Sequence, residues 1–250
     1  MRTLFSFFLF SILLISCKPE EKKLTAQQII DKSIAISGVD KVPNSEVAFD
    51  FRDYSYKAIR NKGQFSLQRI KQQNDSIIID ILANDGYSRL INGKQATVID
   101  SMAVKYSESV NSVHYFSVLP HGLNDQAVIK KLLPEVTVKG KAYYKVQITF
   151  QQEGGGVDYE DVFIYWIDKE DFNIDYMAYT FHVNGGGKRF REVTKEQIVN
   201  GVRFVNYNNF KPKNVDSELS TLDVLFEKGE LIKASEINLE NIQLKLLNVE

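Results

Sequence analysis

The sequence predicts a mainly β (α+β) fold: a curved antiparallel sheet, or open half-barrel, of roughly ten strands. From Glu46 onward, apolar and polar residues alternate with the period of two that is typical of strands. Few helical segments separate these strands, and parallel pairing would need a crossover at each step, so the pairing must be mainly antiparallel. Several central strands are apolar on both faces and therefore need cover on both. We expect an N-terminal helix and a central helical segment to cover the concave face.

The N-terminal helix is predicted over Thr25–Gly38. Thr25 followed by Gln28 forms a capping box, and Gly38 is placed to end the helix. An apolar stripe with helical spacing must pack against the sheet. The stripe consists of Ala26, Ile29, Ile30 and Ile34.

The strands begin with Val47, Phe49 and Phe51, and the parity of the apolar residues changes after them. A β-bulge near Arg52–Asp53 would explain this change. Asn92–Gly93 predicts a tight hairpin turn. Further strands are predicted at 54–58, 65–67, 76–82, 87–91, 95–100, 142–150, 162–167, 176–183, 190–193, 202–210, 222–226 and 231–239.

The central segment predicts two helices. Ser107–Leu119 can form a helix that Pro120 stops, and Asn124–Leu133 can form a second that Pro134 stops. Leu119–Gly122 would be the turn between them.

The N-terminus resembles a lipoprotein signal. Leu4–Ile15 is an apolar run that is too short to span a bilayer, which needs about 20 residues, but suits the core of a signal peptide. Ser16 precedes Cys17, the only cysteine, as in a bacterial lipobox whose cysteine is diacylated and becomes the new N-terminus. An ordinary secretory signal with an incidental cysteine and an N-terminal membrane anchor are the alternatives.

These features divide the chain into a signal peptide (1–16), an acylated cysteine with a charged tether (17–24) and a single β domain (25–250). Lys18 is not the aspartate associated with inner-membrane retention, which favours the outer membrane and leaves the periplasmic or surface face open. The membrane partner would be reached through the acyl chains. A net charge of -1, from 31 basic and 32 acidic residues, excludes the basic surface of a nucleic-acid binder.

Two segments carry a family resemblance. Lys141–Ile148 is similar to the strand in which lipoprotein carriers have Tyr-x-Val-x-Leu, and Phe163–Ile174 resembles their Val-x-Leu-Trp-Ile-Asp hairpin. With the order of elements, this resembles the LolA-like superfamily over about residues 25 to 240. The resemblance implies an open β-barrel that binds acyl chains or other apolar ligands. A lipidated member would be a fixed receptor, sensor or lipid-handling protein rather than a periplasmic shuttle.

No catalytic motif is present, so the sequence predicts a protein that is not an enzyme. The three histidines lack zinc-ligand spacing, and the triple glycines at 154–156 and 185–187 each lie between strands, as in hairpin loops. The acidic clusters at 158–161 and 168–171 lack the pattern of an EF-hand. No cofactor or metal is therefore predicted.

Inward-facing aromatic residues are the remaining candidates for a site. They could line a cavity for an apolar small molecule, a lipid or a lipoprotein, or they could fill a packed core. The candidate lining residues are Phe49, Phe51, Tyr144, Phe150, Trp166 and Tyr179. The leading hypothesis is a ligand-binding half-barrel. The alternatives are an assembly lipoprotein with a filled interior that acts through its surface, and an enzyme whose site the sequence does not reveal.

Overall fold

The computed structural model describes residues 23–156, 159–182 and 185–247. This part of the chain forms two seven-stranded antiparallel sheets and three α-helices. The helices are α1 (Ala26–Ser37), α2 (Asp100–Ser117) and α3 (Leu222–Glu227). None of the helices in the described ranges is long and apolar enough to cross a membrane.

The first sheet has the spatial order β14-β1-β2-β3-β4-β5-β6. Its strands are β1 (Ser45–Phe51), β2 (Tyr54–Asn61), β3 (Gln64–Gln73), β4 (Ser76–Ala83), β5 (Gly86–Ile91), β6 (Lys94–Ala96) and β14 (Glu240–Leu246). The hairpin predicted at Asn92–Gly93 joins β5 to β6 and is confirmed. Because consecutive strands pair through short turns, the antiparallel arrangement follows from local connections.

The second sheet has the spatial order β13-β12-β11-β10-β9-β8-β7. Its strands are β7 (Val128–Val138), β8 (Lys141–Phe150), β9 (Phe163–Asp168), β10 (Ile174–Phe181), β11 (Gly187–Val199), β12 (Val202–Pro212) and β13 (Leu231–Ile237). The mainly β, antiparallel and open fold class is confirmed. The strands number fourteen within the described residues, in two sheets, where the sequence predicted roughly ten in one.

Three local predictions are wrong. Arg52–Asp53 is not a bulge but the two-residue turn between β1 and β2, and Arg52 has a φ of 56°. The predicted helix over Asn124–Leu133 is largely strand β7. Pro134 was expected to stop that helix, but it lies within β7 at the point where the pairing with β8 shifts register. Proline is tolerated there because β7 is an edge strand. The predicted strand at 222–226 is helix α3.

Helix α1 is confirmed with its predicted capping box, in which Thr25 and Gln28 exchange side-chain and backbone hydrogen bonds. Gly38 ends it with a φ of 68°, and a Cβ there would lie 1.9 Å from the carbonyl oxygen of Gly201. Ile29 and Ile30 are fully buried against the second sheet. We call the sheet face that they cover the inner face, which carries Val146, Tyr165, Met177, Val205 and Tyr207.

Helix α2 begins seven residues before the predicted Ser107 and packs on the first sheet. The Arg69 guanidinium donates to Ser109 Oγ at 2.7 Å and forms an ion pair with Asp80. The guanidinium of Arg89, which also pairs with Asp80, lies 4.0 Å from the ring centroid of Tyr106. These directional contacts fix α2 to β3, β4 and β5.

Candidate ligand-binding cavity

A cavity of about 970 Å³ lies between α2 and the inner face of the second sheet. Strands β8 to β13 supply its floor, α2 its roof, and Phe51 of β1 part of one side. Strand alternation explains the floor, since every second residue of each strand projects to the same face. The floor residues are Phe150, Phe163, Tyr179, Phe181, Arg189, Arg191, Val205, Tyr207, Asn209, Ser235 and Ile237. Val104 and Lys105, both exposed, lie at the border with solvent.

Aromatic rings form the apolar wall. Phe163 stacks on Tyr179 with a centroid distance of 5.6 Å and meets Phe150 edge-on at 5.8 Å. From the roof, Phe116 reaches Tyr179 at 5.0 Å. Tyr115 OH lies 3.3 Å from Tyr165 OH, and burial raises the pKa of Tyr115 to about 12. The phenol protons at this wall therefore stay in place at neutral pH.

Arg191 of β11 is the central polar residue of the cavity. It is only 7% exposed, and its Nη2 donates to Tyr179 OH at 2.7 Å. Its guanidinium lies 4.0 Å from the ring centroid of Phe116 and 5.7 Å from that of Tyr207. Its Nε is buried and has no hydrogen-bond partner among the described residues. A charged donor is thus held in an otherwise aromatic wall.

Asn209 of β12 lies directly across the strand pair from Arg191. Its Nδ2 donates to Ser235 Oγ at 3.1 Å, whereas its Oδ1 is buried and without a partner in the described part of the chain. Burial raises the pKa of the neighbouring Tyr207 above its usual value of 10, and the positive charge of Arg191 opposes that rise. The inner face of β11 and β12 therefore presents the guanidinium of Arg191 and the amide of Asn209 side by side.

Charged residues also border the cavity. Lys105 and Glu108 lie on α2, and Arg189 lies two residues before Arg191 on the same face of β11. Asp161, which precedes β9, contacts Nδ1 of His182 at 2.8 Å. The cavity thus combines an apolar wall with ionic groups, a pattern typical of sites that orient a ligand by a few polar contacts.

The structure brings three of the six predicted lining residues to the cavity: Phe51, Phe150 and Tyr179. Phe49 lies instead in the core of the first sheet, stacked on Tyr56 at 5.2 Å. Tyr144 is on the inner face but stacks on Phe172, away from the cavity. Binding of a ligand by the three lining residues stays a prediction.

Trp166 is placed on the opposite face of the second sheet. Phe163 and Tyr165 point inward, and strand alternation turns Trp166 outward into the core beneath α3. Its indole N–H donates to Asp223 Oδ2 at 3.0 Å, and Lys145 donates to the same oxygen at 2.9 Å. Trp166 therefore does not line the cavity, and its indole packs in this outer core.

Cys17 and the 1–16 signal segment lie outside the described residues, so the lipidation stays a prediction. Among the described residues, no group of three or more His, Cys, Asp or Glu side chains could hold a metal ion. His114 is fully buried in α2, and its Nε2 hydrogen-bonds with the carbonyl oxygen of Gln68 at 3.0 Å. These positions assign no chemistry to the histidines.

Sequence reasoning missed Arg189 and Arg191. Both lie on one face of β11, on either side of Phe190, which points to the opposite core. Two cationic residues with a spacing of two in a central strand are a signal that could have been recognised, because that face is expected to be buried. Phe116 and Tyr207 carried no comparable signal.

Two solved structures and one family model are similar to this chain. A solved DUF1329 family protein from Desulfovibrio piger is similar with a TM-score of 0.46 and 10% identity, over 88% of this chain and 92% of that chain. A LolA superfamily protein from Nitrosomonas europaea is similar with a TM-score of 0.43 and 11% identity, over 91% and 96%. No curated protein matches the sequence. The model of DUF6503, a family of unknown function, matches residues 2–239, and the chain therefore belongs to that family.

Proposed function

We propose that this protein is a cell-envelope lipoprotein that binds an apolar ligand, an acyl chain or the lipid part of a partner, in the cavity beneath α2. The observation that carries the proposal is the cavity itself, about 970 Å³ with aromatic walls. Ligand pockets for small molecules typically measure about 300–1,000 Å³. The proposal contains no catalytic step, since it requires only burial of the ligand.

The size of the cavity favours this function over an assembly role with a filled interior. Side chains packed at native density leave few voids larger than a water molecule. Phe163, Tyr179 and Phe116 border the space under α2, and an acyl chain in it would add dispersion contacts to their rings. Burial of its methylene groups would contribute about 0.8 kcal/mol each.

Anchoring through Cys17 to the outer membrane completes the proposal. Acylation would attach the domain to the bilayer, and the charged segment 18–24 would serve as the tether. Intact-mass spectrometry of the native protein tests this point. The expected species begins at Cys17 and carries a diacylglycerol, whereas an unmodified chain that begins at Met1 contradicts the anchoring. Cys17→Ala should mislocalise the protein without harming the fold.

Native mass spectrometry of a soluble chain that begins at Lys22, purified from cells that supply lipids, tests the cavity. We expect a co-purifying apolar molecule. Ser235→Trp places a large ring in the cavity and should abolish the bound mass. Ser235→Ala removes the same hydroxyl without filling the space and should retain it. Circular dichroism verifies that both variants fold.

A wild-type chain that is repeatedly ligand-free, and that takes up no added palmitate or hexadecanol, would overturn the binding function. That outcome would favour the assembly role. Retention of the ligand by a folded Ser235→Trp variant would instead show that the ligand occupies another place.

A further inference from the structure

We propose that the ligand of the cavity is an anionic amphiphile, an apolar chain that ends in a carboxylate or phosphate, and that Arg191 binds this head group. The inference rests on the proposed apolar-ligand function and names the chemical class of the ligand.

The ion pairing of the buried arginines carries the argument. Within the described ranges, three arginines are buried, with 7% to 8% of their surface exposed. Arg69 pairs with Asp80, and Arg203 pairs with Glu196. Among the described residues, no ion pair joins Arg191 to a carboxylate; its Nη2 donates a hydrogen bond to the hydroxyl of Tyr179. Of these three arginines, Arg191 is the one without a carboxylate partner, and it lies on the cavity wall.

A buried guanidinium without an anion is costly because it has lost its hydration. The rings of Phe116 and Tyr179, at 4.0 and 5.0 Å from it, offset part of this cost through cation–π attraction. They do not neutralise the charge, and the Nε donor stays without a partner. An oxyacid group would supply both the negative charge and the acceptor oxygens, and guanidinium geometry suits carboxylate and phosphate.

The surroundings of Arg191 fit such a head group. Asn209 lies beside it across the strand pair, and Arg189 adds a second guanidinium on the same face. Glu108 and Asp161 also border the cavity, but Asp161 already contacts His182. The aromatic wall of Phe150 and Phe163 continues from this polar place and would accommodate the chain.

The test compares three ligands with sixteen-carbon chains on the full-length protein stripped of bound lipid. Palmitate carries a carboxylate, hexadecanol is neutral, and hexadecyl phosphate distinguishes the two anionic classes. We expect the wild-type protein to bind palmitate or hexadecyl phosphate at least about tenfold more tightly than hexadecanol, as for a charge-assisted hydrogen bond.

Arg191→Gln should weaken binding of the anionic ligand by about tenfold or more and leave hexadecanol within about twofold. Lys188→Gln is the matched control: it removes one positive charge from the opposite face of β11, where the ammonium donates to Val215 O. It should leave both affinities unchanged.

Equal affinity of the wild type for palmitate, hexadecyl phosphate and hexadecanol would overturn the inference and leave the apolar-ligand function intact. Failure of all three to bind would overturn the proposed function as well. If Arg191→Gln does not fold, the wild-type comparison still decides, since it needs no variant.

Discussion

Mild acid is expected to destabilise the fold through His114. The imidazole of this residue is exposed to solvent in the unfolded chain, whereas in the native state it is buried against Phe49 and Tyr56. Burial, helped by the positive charge of Arg60, lowers the pKa of the imidazole from 6.5 to about 4. The native protein therefore holds His114 neutral at a pH where the unfolded chain protonates it.

The sign and the size of the effect follow from this difference. Above pH 6.5 the His114 imidazole is neutral in both the native and the unfolded state, and the full stability is present. Between pH 6.5 and about 4 the imidazole binds a proton in the unfolded chain but not in the native state. Stability is thus lost as the pH falls through this window. At pH 5 the loss amounts to about 2 kcal/mol relative to pH 7.5 for this one group.

Urea unfolding at pH 7.5 and 5.0 measures the effect. Trp166 is the only tryptophan and is fully buried, so its fluorescence reports unfolding. In His114→Gln the amide can still donate to Gln68 O but does not titrate, and the variant should lose about 2 kcal/mol less than the wild type between the two pH values. The contribution of His121, whose pKa burial also lowers to about 4, is common to both proteins and cancels. Equal losses in the two proteins, or an NMR titration of His114 near pH 6.5, would refute the reasoning.

Three further predictions concern the packing, and urea unfolding of the named variants measures each. Ile30→Ala should cost about 2–5 kcal/mol because the side chain is fully buried; Ile36→Ala, in the same helix at 49% exposure, should cost far less, and equal midpoints would contradict the packing of α1. Gly38→Ala should destabilise more than Gly63→Ala: both positions have positive φ, but only at Gly38 would the new Cβ collide with a backbone carbonyl. Asp223→Ala should cost about 3–5 kcal/mol, because it leaves the buried ammonium of Lys145 without its counter-ion and the indole N–H of Trp166 without an acceptor; a loss below 1 kcal/mol would contradict this role.

Elements specified by local sequence were predictable. Helix α1 was predicted to within a residue because its capping box and terminal glycine lie within the helix and its flanks. Helix α3 was mistaken for a strand because four of the five residues at 222–226 are apolar, and so short an apolar run does not distinguish a strand from a helix. In the structure one face of α3 packs on the second sheet, and Val224 is exposed. The residues of that face, Leu222, Leu225 and Phe226, have the spacing of a helix. Such a choice depends on a neighbouring surface that a short segment does not encode.

The candidate site was predictable in residue type more than in position. Aromatic residues on strands serve equally to fill a core or to line a cavity, so their composition does not distinguish these uses. Parity along β9 separates Trp166 from Phe163, which explains why one packs beneath α3 and the other lines the cavity. The alternation of side chains along a strand does not reveal whether α2 leaves a cavity between itself and the second sheet.

That space depends on how α2 is held. Two contacts bind α2 to the first sheet: the hydrogen bond between Ser109 and Arg69, and the cation–π contact between Tyr106 and Arg89. Near the C-terminal end of α2, Tyr115 and Phe116 contact the second sheet. These directional contacts oppose a movement of α2 toward the second sheet. The roof of the cavity is thus held by one sheet and its floor belongs to the other, and a bound apolar chain would add dispersion contacts to both.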